Sequence, residues 1–206
     1  MKNTIDTIIF DLGGVLVDWN PAYLYNKIFE GNAQKTTWFL NNVCTTEWNT
    51  EQDSGRTIEE AEKVKIEEFP EYENLIKLYY KEWHNMFSGP IEKNVELLQK
   101  LKASKKYRIY ALTNWSAEKW EMALQLFPFF KEFEGVVVSG QEKTRKPFPE
   151  IYTTILNRYK ITPEKAVFID DNKENVVAAA HFKINAIHYT NFNELKKSLN
   201  SLQIFF

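Results

Sequence analysis

From residue 90 to the end of the chain, short apolar runs alternate with stretches of helical spacing, and this alternation limits the possible folds more than any other feature. Val95, Leu97, Leu98 and Leu101 recur at helical intervals after Pro90, and residues 107–112 then read as a strand. Helical patterns over 116–126, 150–159, 175–182 and 193–199 are separated by apolar runs at 136–138, 166–169 and 186–189. An apolar run at 5–10 adds a first strand, making five joined by helices. Strands that are apolar on both faces and linked by helices form a parallel sheet covered on both sides. The expected fold class is therefore α/β.

Residues 19–88 break the rhythm. They hold no convincing strand but show helical stretches at 21–29, 36–43, 57–68 and 72–86. Asn20 before Pro21 is a plausible helix start, and Thr57 with Glu60 has the spacing of a capping box. The expected organisation is a core of residues 1–18 and 89–206 with a helical cap, 19–88, inserted after the first strand, Gly89 giving hinge freedom at the return. A length of 206 residues suits one core with an insertion.

The charge pattern narrows the partners. The formal net charge is −2 and the basic residues are dispersed, so nothing favours nucleic acid or an acidic membrane surface, and an anionic ligand needs a local site. The first apolar stretch is interrupted by Asp6 and is too short for a signal peptide or a membrane span, so a cytoplasmic protein is expected. Cys44 is the only cysteine, which excludes an internal disulfide and a thiolate-rich metal site.

A carboxylate at the end of a buried strand is a poor structural choice but a good nucleophile, and Asp11 follows Ile8-Ile9-Phe10 and precedes Leu12-Gly13-Gly14. In an open parallel sheet ligands bind beyond the carboxyl ends of the strands. Thr113-Asn114 and Asp170-Asp171 follow two further strands, and Lys146-Pro147 precedes a helix, so all four segments are expected to converge on one cleft. Asp11, Asp170 and Asp171 would bring three negative charges together, which a hard divalent cation, Mg²⁺, compensates. Asp11 would attack phosphorus to form an aspartyl-phosphate, with Lys146, Thr113 and Asn114 binding the phosphoryl group.

Phe10-Asp11-Leu12-Gly13-Gly14-Val15-Leu16, Leu112-Thr113-Asn114, Arg145-Lys146-Pro147 and Phe168-Ile169-Asp170-Asp171-Asn172 resemble, in order, the four motifs of the haloacid dehalogenase-like hydrolase superfamily. The resemblance spans nearly the whole chain. It implies a Rossmann-like core with a helical cap, Asp11 as nucleophile, Thr113 and Lys146 on the phosphoryl group, and Asp170 and Asp171 serving the metal. It also suggests a cis bond between Lys146 and Pro147. One departure stands out: phosphatases of that superfamily carry a second Asp two residues after the nucleophile, where this chain has Gly13. The Gly13 carbonyl can still be a metal ligand, but proton transfer to the leaving group is left unassigned. The expectation is a Mg²⁺-dependent phosphatase acting on a small phosphorylated metabolite, sugar phosphates being candidates. The alternatives are a haloacid dehalogenase, since those enzymes also lack the second Asp, and a phosphate-binding protein with little turnover.

Other residues have plainer expected roles. Asp18 is read as a hinge residue, and His84, His181 and His188 as ordinary residues without ligand spacing. Arg145 is read as surface charge. The aromatics Trp38, Trp48, Tyr79, Tyr80 and Trp83 are read as cap core, with a second reading in which Trp48 and the turn Asp53-Ser54-Gly55-Arg56 face a substrate. Trp19 and Trp115 are expected to line the pocket. Ile204-Phe205-Phe206 either completes the core or meets another subunit.

Overall fold

The structure, a computed structural model, describes residues 4–206. In chain order β1 is Thr7–Phe10 and β2 is Val17–Trp19, followed by α1 Pro21–Ile28, α2 Ala33–Asn42, α3 Thr46–Asp53, α4 Ile58–Glu68 and α5 Glu73–Lys81. Then come β3 Phe87–Pro90, α6 Glu92–Ser104, β4 Arg108–Thr113, α7 Trp120–Leu126, β5 Gly135–Val138 and the single turn α8 Ser139–Glu142. The chain ends with α9 Pro149–Arg158, β6 Ala166–Asp170, α10 Lys173–His181, β7 Asn185–His188 and α11 Phe192–Ser201.

Five parallel strands form the main sheet in the order β5-β4-β1-β6-β7, the expected α/β architecture. All four residues of β1 and all five of β6 are buried, which explains their unbroken apolar sequences. Side chains alternate between faces: Ile8 and Phe10 pack into one apolar cluster, and Ile9 packs with Tyr110, Phe168 and Tyr152 in the other. The register sets the site. Phe10 pairs with Ala111 and with Ile169, so the next residues along the three central strands, Asp11, Leu112 and Asp170, emerge at the same sheet edge.

Between β2 and β3 the chain is helical and its core is aromatic. The rings of Tyr25 and Phe39 lie 4.7 Å apart, and those of Trp48 and Tyr79 meet edge to face at 5.1 Å. Asn20 caps α1 by accepting from the amide of Ala22, and the capping box of Thr57 and Glu60 forms at the start of α4.

Several boundaries differ from the sequence expectation. Pro90 does not open a helix: it ends β3, opposite Val17, and α6 starts at Glu92. The stretch 72–86 is not one helix, because after Lys81 the chain tightens into a 3₁₀ turn over Trp83–Met86, where the Met86 carbonyl accepts from the Asn20 amide at 2.7 Å. Strands β2 and β3 form an antiparallel ribbon at the two crossings of the insertion, too short to register as a pattern. Helix α3 has a single large apolar residue, Trp48, and so no periodicity to detect. Ile204 is buried in the main core whereas Phe205 is 60% exposed. Among the described residues no helix is long and apolar enough to cross a membrane.

The capping box gives a direct test of helix α4. Thr57→Ala removes both the acceptor for the Glu60 amide and the hydroxyl bound to the Glu60 carboxylate, and should lower stability by about 1 kcal/mol, read as a lower urea midpoint with unchanged slope.

Candidate active site

Asp11 continues the line of β1, its amide donating to the Ile169 carbonyl at 2.8 Å. The chain then turns back on itself, with the amides of Leu16 and Val17 both donating to the Leu12 carbonyl. Gly14 makes this turn at φ +71°, and a Cβ there would stand 2.2 Å from Asp171 Oδ2, so only glycine lets the turn lie against that carboxylate. Gly13 is different: a Cβ added to it would meet nothing within 4 Å.

The Lys146 ammonium is almost fully buried and bridges two strands' carboxylates, 2.9 Å from Asp11 Oδ2 and 2.6 Å from Asp170 Oδ2. Asp170 also accepts from the Asn172 amide at 2.8 Å and from Asn175 Nδ2, which is 3.1 Å from each of its oxygens. Asp171 is more exposed, and His188 Nε2 lies 2.9 Å from its main-chain carbonyl. One carboxylate oxygen from each of Asp11, Asp170 and Asp171 lies within 4.8 Å of the others. Three carboxylates therefore face one ammonium. Burial, with Asp170 and Asp171 adding to it, raises the Asp11 carboxyl well above its ordinary value against the pull of Lys146. Burial alone would depress the Lys146 ammonium, but Asp11 and Asp170 outweigh it and lift that group. A hard cation with oxygen ligands fits this acid-rich corner.

Thr113 and Asn114 are adjacent yet differently placed. The Thr113 hydroxyl is buried and has no hydrogen-bond partner among the described residues. The Asn114 side chain is already engaged: its Oδ1 accepts from the Lys146 amide at 2.9 Å and its Nδ2 donates to the Lys146 carbonyl at 3.0 Å. Asn114 thus clamps the lysine's main chain, and the Lys146-Pro147 bond within this clamp is cis. Arg145 is not free surface charge; it donates to the Lys146 carbonyl, and its guanidinium lies 4.9 Å from the Phe148 ring.

A cavity of ≈ 80 Å³ adjoins the cluster, bounded on the core side by Gly13, Asn114, Trp115 and Ser116. Its other wall comes from Trp19, Asn49, Asp53, Tyr80, Trp83 and Phe87. Trp19 and Trp115 do line it, and their indole Nε1 atoms are buried without partners among the described residues. Trp48 does not: its ring is buried and donates to the Ala61 carbonyl, leaving Asp53 as the part of that segment which faces the cavity. Asp18 lies apart on the ribbon, accepting from Tyr23 and Ser88. Cys44 is buried in the helical insertion, where desolvation pushes its thiol up to about 12. Asn175 and Ser116 were not singled out from sequence. Asn175, five residues after Asp170 on the first turns of a helix, had a usable spacing signal.

This sheet edge, with carboxylates delivered by two neighbouring strands and a buried lysine between them, is the acid-rich corner of a parallel-sheet α/β fold. The chain belongs to the haloacid dehalogenase-like hydrolase family, whose profile it matches over residues 8–189. It is 29% identical over 188 residues to a phosphorylated carbohydrates phosphatase of Thermotoga maritima, covering 89% of this chain and 84% of that protein. It is 28% identical over 199 residues to a sesquiterpene phosphatase of Aspergillus oryzae, covering 92% of each. A family enzyme from Bacteroides thetaiotaomicron, solved as a mutant in complex with magnesium and inorganic phosphate, shares the fold with a TM-score of 0.71 at 23% identity, over 93% of this chain and 98% of that one.

Asp53 gives this site a pH signature. Burial raises its carboxyl to about 7, opposed by Arg145 and Lys146. A carboxyl raised from about 4 in the unfolded chain holds an extra proton in the folded state, so its contribution to stability is full below that value and is lost as pH rises through about 7. Asp53→Asn should therefore raise the melting temperature at pH 8 and change it little at pH 4, as measured by thermal scans across that range.

Proposed function

We propose that the chain is a magnesium-dependent phosphatase that hydrolyses a small phosphorylated metabolite through an aspartyl-phosphate on Asp11. The observation that carries this reading is the Asp11 carboxylate at the end of the central strand, 2.9 Å from the buried Lys146 ammonium, with a buried Thr113 hydroxyl at the end of the neighbouring strand that has no partner among the described residues. The phosphatases among its relatives support the same class.

Asp11 attacks phosphorus, the bond from phosphorus to the ester oxygen breaks, and water then hydrolyses the acyl phosphate. Lys146 and Thr113 donate to the phosphoryl oxygens, whose negative charge is spread during transfer. Asn114 acts through Lys146, holding its main chain so that the ammonium stays in reach. Asp11, Asp170, Asp171 and the Gly13 carbonyl are the groups suited to hold magnesium. When bound, that ion neutralises the excess carboxylate charge and screens the nucleophile from the substrate's phosphate.

Residues 19–88 act in this reading as a cap over the core of residues 1–18 and 89–206. The walls of the cavity from both parts support it. A volume of ≈ 80 Å³ holds a phosphate but not a hexose, since sites for organic ligands run to several hundred Å³, so the cap opens to admit substrate. The polar residues Asn49, Asp53, Asn114 and Ser116 in the cavity wall favour a leaving group rich in hydroxyls, such as a sugar, over a hydrocarbon chain. A dehalogenase would share the missing acid at Gly13, but Asp170 and Asp171 would repel a haloacid carboxylate in the absence of a cation.

A panel of sugar phosphates and p-nitrophenyl phosphate, assayed for phosphate release with Mg²⁺ and with EDTA, tests the reading. Release only with Mg²⁺ is expected, and Asp11→Asn should fold normally yet lose turnover, because the amide keeps the shape but not the nucleophile. Halide release from 2-haloacids without metal would favour a dehalogenase, and phosphate binding without release would favour a binding protein.

A further inference from the structure

Within the phosphatase reading, one step lacks an actor: the ester oxygen leaves as an alkoxide unless something protonates it, and Gly13 has no side chain to do so. Most titratable groups around the cleft are otherwise engaged. Lys146 is bound to Asp11 and Asp170, and Asp18 is held on the ribbon by Tyr23 and Ser88. Cys44 lies in the core of the insertion, His84 and His181 are exposed outside the cavity wall, and His188 is exposed with Nε2 against the Asp171 carbonyl. The Tyr80 hydroxyl donates to Asn49 Oδ1 at 2.9 Å.

Among the described residues Asp53 is the one carboxylate that lines the cavity, and its surroundings hold it still without using it. It is the last residue of α3, facing a space shared with Gly13, Asn114 and Ser116. The helix end is pinned by its neighbours: Arg56 donates to Gln52 Oε1 at 2.7 Å and to the Trp48 carbonyl at 2.8 Å, while Gln52 Nε2 donates to the Trp48 carbonyl and the Tyr80 hydroxyl. Gly55, at φ +97°, brings the following turn so close to α8 that a Cβ there would lie 3.2 Å from the Gly140 carbonyl. Although Arg56 is three residues away, it pairs with Gln52 and not with Asp53. Among the described residues the Asp53 carboxyl accepts no hydrogen bond. A half-buried carboxyl facing an open cavity, unpaired amid satisfied neighbours, is a poor structural element.

We infer that Asp53, delivered by the helical insertion, is the general acid that protonates the leaving-group oxygen and the general base for the second half-reaction, in place of the acid absent at Gly13. In the first half, the bond from Asp11 to phosphorus forms, the bond from phosphorus to the ester oxygen breaks with its electron pair on oxygen, and the Asp53 proton moves to that oxygen. In the second, the Asp53 carboxylate takes a proton from water as its oxygen bonds to phosphorus and the bond to Asp11 breaks, which restores both groups. Burial, against Arg145 and Lys146, keeps Asp53 able to hold and release a proton near neutrality. Tyr79 and Tyr80 are the other titratable groups that feel its charge, and both are raised far out of the working range. Because the acid rides on the insertion and the nucleophile on the core, proton transfer is available only when the two walls of the cavity meet.

The test compares kcat/KM for an alkyl ester, such as glycerol phosphate or a sugar phosphate hydrolysed by the native enzyme, with that for p-nitrophenyl phosphate, both with saturating Mg²⁺. This parameter ends at leaving-group departure and so reports the acid role alone. Asp53→Asn should lower the alkyl value by roughly 10² to 10⁴-fold and the aryl value far less, since nitrophenolate leaves without a proton. The fall in the alkyl kcat/KM above about pH 7 should vanish in that variant. Asp53→Glu should recover part of the loss, and Gly13→Asp in the Asp53→Asn background should restore it, because the space at Gly13 is open. An unchanged alkyl value, or equal losses on both esters, overturns the inference while native hydrolysis keeps the phosphatase reading intact. If the native enzyme cleaves neither ester with Mg²⁺, that reading falls first and the role of Asp53 falls with it.

Discussion

The Lys146 ammonium, buried between Asp11 and Asp170, is the interaction on which the site depends. A sheet that delivers carboxylates from β1 and β6 to one edge concentrates negative charge in a low-dielectric corner, and unpaired charge there is costly. The lysine offsets part of it. The rest of the local structure keeps the lysine in place: the paired hydrogen bonds between Asn114 and its main chain, the Asn175 amide on the far side of Asp170, and the glycine at 14 that lets the Asp11 turn lie against Asp171. Because one ammonium faces three carboxylates, the cluster remains under-neutralised. That surplus is what suits it to a divalent cation and a transferring phosphoryl group.

The charged cluster and the walls of the adjoining cavity come from two parts of the chain. The sheet edge carries the acidic cluster with its lysine, and the helical insertion supplies most of the polar and aromatic surface over the adjoining cavity. The two parts are joined by the short ribbon of β2 and β3, where Gly89 takes φ +128° and Asp18 receives hydrogen bonds from Tyr23 and Ser88. The two parts also pack directly on each other, the rings of Trp83 and Phe87 against Trp115 at 5.3 and 5.9 Å. Trp19 and Trp115 both line the cavity, and their buried indole Nε1 atoms have no partner among the described residues.

Much of this was legible in the linear sequence for simple reasons. Fully buried parallel strands have no polar face, so β1, β4 and β6 stand out as apolar runs, and the residue types at their carboxyl ends, Asp11, Thr113 and Asp170, are conspicuous as polar groups following them. Helix α4 carried its own start signal in Thr57 and Glu60. Helix α3 left no such trace, because a helix with one large apolar residue lacks a periodic face, and the ribbon strands are only three and four residues long. The single long helix expected over 72–86 stops at Lys81 and gives way to a 3₁₀ turn, after which the Met86 carbonyl pairs with the amide of Asn20, more than sixty residues away in sequence.

The sequence alone determined the sheet, the helical character of the insertion and the residue types gathered in the cluster, since each follows from local composition and from the order of elements. Tertiary structure decided how individual groups are employed. Thr113 and Asn114 are neighbours of similar polarity, yet one hydroxyl is left without a partner and the other side chain is consumed by Lys146, a distinction made by contacts 32 residues apart. In the same way, Trp48 turned into the core and Asp53 toward the cavity, although both lie on α3, because the rotation of a helix about its axis is set by what packs against it. Hydrogen-bond satisfaction and burial depend on partners that only the folded chain brings together, and at this site they separate an engaged amide from a hydroxyl without a partner among the described residues, and a core indole from a cavity-lining carboxyl.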